Sequence, residues 1–167
     1  MIPYYTRFFI AALVLLFLQI LVFDHVNLFG FSNPAVYIIL LISYRLDIDQ
    51  FGFIVIGFLI GFFLDLLTQT AGSHSIACVT VAYSRPLIAR FAFGANFDLS
   101  TALSSSTLWT NRMIFVFLII FIHQILFSFM AFFSMTHLWI ALKYTLVNSV
   151  FSFILIAASL TLLKPKK

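Results

Sequence analysis

Long apolar runs alternate with short polar or charged connections along the whole chain. Segments of about ten residues with alternating polarity, which mark a membrane β-barrel, are absent. A continuous apolar run in lipid must satisfy its own backbone hydrogen bonds, and a helix does this. The pattern therefore predicts an all-α integral membrane protein with about six transmembrane helices, at residues 8–23, 34–44, 51–67, 74–86, 113–133 and 138–163.

Two parts of the pattern differ from ordinary membrane spans. The second run, residues 34–44, is short against the ~20 residues that a transmembrane helix needs. Its start resembles a capped helix, with Asn33 as N-cap and Pro34 at the first helical position. Residues 87–112 mix basic, aromatic and hydroxyl side chains, and we expect them to form a loop at the membrane interface.

The composition supports a membrane protein. Of the 167 residues, 63% are hydrophobic and 8% are charged, whereas soluble domains carry about 25% charged residues. No water-soluble fold can hide so much apolar surface, so we predict one polytopic membrane domain over residues 1–167. The lone cysteine, Cys78, has no partner for an internal disulfide and is expected to be a small packing residue.

The basic residues lie mainly in the connections, so the net charge of +4 indicates membrane orientation rather than nucleic-acid binding. The first run lacks a small-x-small cleavage site and is predicted to remain as a span. With the N-terminus inside, the cytoplasmic side collects Arg7, Arg45, Arg85, Arg90, Arg112, Lys164, Lys166 and Lys167. The other side receives at most Lys143. We therefore predict six helices with cytoplasmic N- and C-termini, and with Asp65 and His74 toward the outer face.

Small residues recur at helical spacing in the third run. Gly57, Gly61 and Asp65 step by four and share one stripe of a helix. Small residues four apart let two membrane helices approach closely. The next run offers a matching stripe of small residues, and the partner of this seam is predicted to be either that run or a helix of another protein. The matching stripe is Ser75, Cys78 and Ala82.

Asp65 lies close to the end of this run and precedes a turn that contains Gly72. Its carboxylate is predicted to accept backbone N–H groups at the start of the next helix, where the helix dipole favours an anion. Contact with a partner helix or a small ligand is the alternative. Ser73 is predicted to cap the helix that begins near His74.

The sequence favours no enzyme. Asp65, Ser73 and His74 superficially suggest a catalytic triad, but the Gly-x-Ser-x-Gly elbow is absent and nothing suggests an oxyanion hole. The spacings of the histidines and aspartates match no metal-binding motif. We therefore expect no catalytic residue, no metal and no cofactor.

Polar residues also lie inside the last two runs. His123 and Gln124 are in the middle of the fifth run, and Asn148 and Ser149 are well inside the sixth. Polar groups at such depth should face protein, where interhelical hydrogen bonds contribute roughly 0.6–2 kcal/mol each. A cavity for a small ligand is the alternative interpretation.

The hairpin formed by the third and fourth runs resembles the rod shape-determining protein MreD family, in its Bacteroidetes-like branch. The family has a Gly-rich helix that ends in Asp-Leu, a turn of the Thr-Pro-Gly type, and a histidine at the next helix. The sequence here reads Gly61-Phe-Phe-Leu-Asp65-Leu66, then Thr70-Ala71-Gly72-Ser-His74. Ala82-Tyr83-Ser84-Arg85-Pro86 resembles the family's Ala-Tyr-Leu-Arg-Pro, and His123-Gln124 resembles a His-His pair. The chain departs from the family at Ala71, at Gln124 and at the acid expected near Met130 or Ala131.

This resemblance implies a non-enzymatic inner-membrane subunit of the cell-elongation (elongasome) machinery, which regulates cell shape and peptidoglycan synthesis. Its implied partners are membrane lipid, MreC, the actin-like MreB, RodA and a penicillin-binding transpeptidase. The implied fold is similar to the substrate-binding subunits of energy-coupling factor transporters. Gly57, Gly61, Asp65, Gly72, His74, Arg85, Pro86, His123 and Gln124 are the candidate partner or packing residues.

Two other functions compete with this one. The chain could be a substrate-binding membrane subunit of a small-molecule uptake transporter, with Asp65, His74 and His123 around a central pocket. A membrane enzyme that acts on lipid or peptide ranks last, because no set of residues suggests a catalytic site.

Overall fold

The structure, a computed structural model, describes residues 4–26, 33–44, 49–94, 107–132 and 138–162. A short 3-10 helix at Phe23–His25 follows the first helix. In this part of the chain, five helices are long and apolar enough to cross a membrane. The α-helices are α1 (Tyr4–Leu21), α2 (Ile38–Ser43), α3 (Gln50–Thr68), α4 (Ser73–Phe93), α5 (Trp109–Ala131) and α6 (Leu138–Leu162).

The second predicted span is not a transmembrane helix. Only the six residues of α2 are helical, and the backbone before them is irregular. The segment nevertheless runs along α1, because the Gln19 side chain bonds to Pro34 while the rings of Phe8 and Tyr44 are 5.2 Å apart. Phe8 and Gln19 are separated by about 16 Å of helix at 1.5 Å per residue. The segment therefore crosses much of the bundle, although only its second half is helical. Asn33 is not the N-cap, because the helix begins at Ile38 with Tyr37 in that position.

The side chains of two neighbouring helices satisfy this irregular backbone. The Gln19 amide of α1 donates to the Pro34 carbonyl at 3.2 Å and accepts from the Val36 N–H at 2.9 Å. The Ser152 hydroxyl of α6 accepts from the Ala35 N–H at 2.9 Å. Non-helical backbone at membrane depth is tolerated where protein groups replace the missing hydrogen bonds. Gln19 and Ser152 therefore allow α2 to begin in the interior.

The predicted seam between the third and fourth spans is confirmed as a contact between α3 and α4. A Cβ atom at Gly61 would lie 2.5 Å from Ser75 Cα, and one at Gly57 would lie 3.2 Å from Ala82 Cβ and 3.3 Å from the Cys78 carbonyl oxygen. Both glycines are buried. The chain's own α4 therefore occupies this seam, and the expectation that it binds a helix of another protein is wrong.

Helix α4 continues through Pro86 to Phe93, so the predicted end of the fourth span near residue 86 is wrong. Proline lacks an N–H group and leaves the carbonyl four residues earlier without its helical partner. That carbonyl belongs to Ala82, and the Gln50 side-chain amide donates to it at 2.8 Å. Gln50 therefore compensates for the proline and lets the helix continue.

The interfacial loop predicted at 87–112 is shorter than expected. Its first part belongs to α4, and its last part belongs to α5, which begins at Trp109. Residues 95–106 of the predicted loop lie outside the described residues. The last two predicted spans agree closely with α5 and α6.

Helices α3 to α6 pack as successive antiparallel neighbours. The directions of α3 and α4 follow from the contacts of Gly57 with Ala82 and of Gly61 with Ser75. Ring contacts show the directions of the other pairs: Phe93 with Phe115, His74 with Phe127, Phe117 with Phe153, and Phe132 with Tyr144. One end of the bundle carries the Asp65 turn, and we name it the turn end. The opposite end carries Arg85 and Tyr44, and both the start of α1 and the end of α6 lie there.

Candidate functional site

The Asp65 carboxylate joins the end of α3 to the start of α4. One oxygen accepts from the His74 N–H at 2.9 Å and from the Thr70 hydroxyl at 2.6 Å. The other accepts from the Ser75 N–H at 2.8 Å and from its hydroxyl at 2.6 Å. Four donors and the dipole of α4 stabilise the buried charge. The prediction that Asp65 caps the next helix is confirmed.

The turn between these helices has an unusual backbone. Ala71 has φ 51° and Gly72 has φ 90°, both in the left-handed region. Proline is fixed near −65°, so this turn is not the proline turn of the MreD pattern. Gly72 rather than Ser73 holds the N-cap position, and the Ser73 hydroxyl instead donates to the Thr70 carbonyl at 2.8 Å. The prediction that Ser73 caps α4 is therefore wrong.

The Tyr37 hydroxyl links two histidines in the interior. Its oxygen lies 2.8 Å from His74 Nδ1 and 2.7 Å from His123 Nε2, and both Tyr37 and His123 are fully buried. A hydroxyl has one proton to donate and can also accept, so at most one of the two neutral imidazoles can accept from Tyr37. When one ring accepts, the other must donate to the Tyr37 oxygen. This shared hydroxyl couples the tautomers of His74 and His123.

These contacts do not form a catalytic triad. Asp65 accepts from the His74 backbone, whereas the His74 ring bonds to Tyr37. The Ser73 hydroxyl donates to a backbone carbonyl rather than to an imidazole. The three residues are adjacent because they form one helix start.

Arg85 is buried at the opposite end of the bundle, with 1% of its surface exposed. Its guanidinium donates to the Ile42 carbonyl at 2.6 Å and to the Tyr44 carbonyl. The same group lies 4.8 Å from the centre of the Phe53 ring and 5.9 Å from that of Phe115. A cation is stabilised by the carbonyls at a helix C-terminus and by aromatic faces. Arg85 therefore fixes the end of α2.

A cavity of about 650 Å³ lies at the turn end, between α1, the Asp65 turn, α5 and α6. Most of its polar lining is uncharged. Of the three residues predicted around a central pocket, His74 and His123 line the cavity and Asp65 does not; Gln124 lines it as well. The lining residues are Gln19, Ile20, Asp24, His25, Asn33, Ala35, Leu67, Thr68, Thr70, His74, His123, Gln124, Phe127, Ala131, Phe132, Tyr144 and Asn148.

The polar residues of α5 and α6 meet beside this cavity. The Gln124 amide donates to the Ser152 hydroxyl at 3.5 Å, so the predicted interhelical hydrogen bond exists for Gln124. Within the described residues, His123 Nδ1, Asn148 Oδ1 and the Ser149 hydroxyl have no hydrogen-bond partner. A buried polar atom without a partner costs about 1–3 kcal/mol. The polar groups of the described residues therefore do not satisfy all of the interior.

Three important residues, Gln19, Gln50 and Tyr37, were not among the predicted site residues. Gln19 is a polar interruption of an apolar run, which is a signal for an interior partner. Gln50 lies six residues beyond the short second run, and only the position of Pro86 indicates that its side chain compensates for the proline. Tyr37 carries no signal in the sequence, because its partners lie 37 and 86 residues away.

No protein-family model, no curated protein and no solved structure matches the chain.

Proposed function

We propose that the chain is a non-enzymatic inner-membrane subunit of the cell-elongation complex that makes peptidoglycan, and that it acts by binding partner membrane proteins. MreC, RodA and the penicillin-binding transpeptidase are the proposed membrane partners, and MreB is the proposed cytoplasmic one. The cytoplasmic location of both termini is part of this proposal.

One observation carries the proposal. The polar residues of the resembling motif are used in internal joints: Asp65 binds the start of α4, and Arg85 binds the end of α2. Such joints tie neighbouring helices together, which supports a structural role for these groups. A rigid bundle is what a subunit needs when it positions other membrane proteins.

The outer faces of α1 and α3 are the surfaces proposed for partner helices. Phe17 of α1 and Phe58 of α3 are 54% and 45% exposed. The most apolar part of the span Thr6–His25 is only 17% buried inside the bundle. These faces meet either lipid or the spans of partner proteins.

Photo-crosslinking in cells tests this proposal. A photoreactive phenylalanine analogue is placed at Phe17, at Phe58, or at Ile119, which is fully buried and serves as the control. The proposal expects crosslinks to MreC or RodA from Phe17 or Phe58 and none from Ile119. Crosslinks to lipid alone from both exposed positions, at natural expression level, contradict it.

The cavity favours a second candidate, a substrate-binding membrane subunit of an uptake transporter. Pockets of 300–1,000 Å³ with a few convergent polar groups are typical of small-molecule sites, and this cavity has about 650 Å³. Uptake of a small molecule that stops when the chain is deleted, while cell shape stays normal, would favour this candidate over the first.

A further inference from the structure

We propose that the cavity at the turn end binds a small organic cation, namely an amine attached to an aromatic or aliphatic ring. This inference goes beyond the proposed function, because an elongation subunit needs no bound small molecule. It concerns the cavity between α1, α5 and α6 and not the outer faces of the bundle.

The charge of the lining selects against anions. Among the described lining residues, the Asp24 carboxylate is the one formal charge when histidines are counted as neutral, and neither lysine nor arginine faces the cavity. Asp24 is partly buried, and the Gln19 amide donates to one of its oxygens at 3.0 Å. A bound carboxylate or phosphate would find no cation here, while an ammonium group would find its counter-ion.

Two described side chains that line the cavity carry a buried polar atom without a partner, which favours a hydrogen-bond donor as the ligand. Asn148 Oδ1 and His123 Nδ1 have no hydrogen-bond partner within the described residues, and both side chains line the cavity. Asn148 is 4% exposed and His123 is fully buried. An amide oxygen can only accept, so Asn148 requires a donor. An ammonium group supplies three N–H donors and no acceptor.

The coupled histidines can adapt to such a donor. If Tyr37 donates to His74 Nδ1, then His123 must donate from Nε2 to Tyr37. His123 Nδ1 is then unprotonated and can accept a hydrogen bond. One tautomeric arrangement of the three residues therefore gives the cavity a second acceptor beside Asn148.

Aromatic side chains provide the rest of the wall. Phe127, Phe132 and Tyr144 line the cavity, with the last two rings 5.1 Å apart. Aromatic faces attract organic cations and also pack against flat rings. The lining thus combines an anion, hydrogen-bond acceptors and aromatic surface.

Calorimetric titration of the full chain in nanodiscs tests the inference, with empty nanodiscs titrated to subtract partitioning into lipid. The probes are tryptamine, tryptophol and indole acetate, which share one ring system and carry a positive, no and a negative charge. We expect saturable binding of tryptamine about tenfold tighter than of tryptophol, because hydrogen bonds to charged groups are stronger than neutral ones. We expect no saturable binding of indole acetate.

Four variants assign the effect to the cavity. Asp24→Asn should abolish the preference for tryptamine over tryptophol, and Asp24→Glu should retain it. Asn148→Ala should weaken tryptamine binding at least several-fold. The neighbouring control, Ser149→Ala, removes a buried hydroxyl that does not line the cavity and should leave binding unchanged. Circular dichroism identifies variants that fail to fold.

Three results would overturn the inference: tryptamine that does not bind saturably, tryptophol or indole acetate that binds as tightly, or a preference that survives Asp24→Asn in a folded protein. These binding results are independent of the crosslinks from α1 and α3. A failed ligand-binding inference is therefore distinguishable from a failed proposed function.

Discussion

A single methyl group at Gly61 should separate α3 from α4. The Cβ atom of Gly61→Ala would lie 2.5 Å from Ser75 Cα and 2.7 Å from both the His74 carbonyl oxygen and the Ser75 nitrogen. All three are backbone atoms and cannot rotate away. Ordinary contacts begin at 3.4 Å, so the two helices must move apart by roughly 1 Å to relieve the overlap.

This movement also strains the Asp65 cap, one turn further along α3. Its hydrogen bonds to the start of α4 are 2.6–2.9 Å long, and an additional 1 Å would exceed hydrogen-bond range. Overpacking costs about 1–3 kcal/mol, and a weakened hydrogen bond to a charged group costs about 1.5–3 kcal/mol. We therefore expect Gly61→Ala to lower the free energy of unfolding by about 2.5–6 kcal/mol.

Gly57→Ala is the matched control, on the same helix and the same seam. Its Cβ atom would lie 3.2 Å from the Ala82 methyl group and 3.3 Å from the Cys78 carbonyl oxygen, so small adjustments accommodate it. We expect a loss below about 1 kcal/mol. The assay is reversible unfolding in mixed micelles with increasing dodecyl sulfate, followed by circular dichroism. Equal destabilisation by the two substitutions would refute the close approach at Gly61.

Three further predictions concern the other joints, and the same unfolding assay measures each. Asp65→Asn should destabilise the fold by about 2–3 kcal/mol, because an amide replaces one charged acceptor. Asp49→Asn alters an exposed cap at the start of α3 and should destabilise the fold less. The reverse order would contradict the central role of Asp65. Ala71→Pro should lower the free energy of unfolding by about 2 kcal/mol or more, since proline cannot adopt φ 51°. Ala71→Gly should be neutral or stabilising. A tolerated proline would show that the turn has another backbone conformation. Gln50→Leu should lower the free energy of unfolding by about 1–2 kcal/mol in the natural chain. It should have little effect in a Pro86→Ala background, where the Ala82 carbonyl regains a helical partner. An equal loss in both backgrounds would refute the claim that Gln50 compensates for Pro86.

The sequence pattern predicts those features that depend on neighbours along the chain. The apolar runs predict the five long helices, and the spacing of Gly57 and Gly61 predicts the seam between α3 and α4. The position of Asp65 before a turn predicts the cap on α4. In the seam and the cap, the residues that make contact are at most 25 positions apart. Two helices joined by a short turn pack in a restricted geometry when small residues allow their backbones to come close.

The parts that the pattern did not predict depend on distant residues. The irregular segment before α2 exists because Gln19 and Ser152 satisfy its backbone, and Ser152 is 117 residues from Ala35. Pro86 does not end α4, because Gln50 donates to the freed carbonyl. Hydropathy and helix-breaking rules consider local sequence only, so they do not predict these long-range side-chain hydrogen bonds. The cavity likewise forms where three separate helices and the Asp65 turn meet, and its lining residues are spread from Gln19 to Asn148.

Cell shape after depletion tests the central claim most directly. The chain is placed under a repressible promoter in its rod-shaped host, with the wild-type copy or the Gly61→Ala copy supplied separately. Since the chain is proposed to be an essential binding subunit of cell elongation, depletion should round the cells. The wild-type copy should restore rods, and the Gly61→Ala copy should not. Cells that keep their rod shape and elongate normally without the chain would contradict the account.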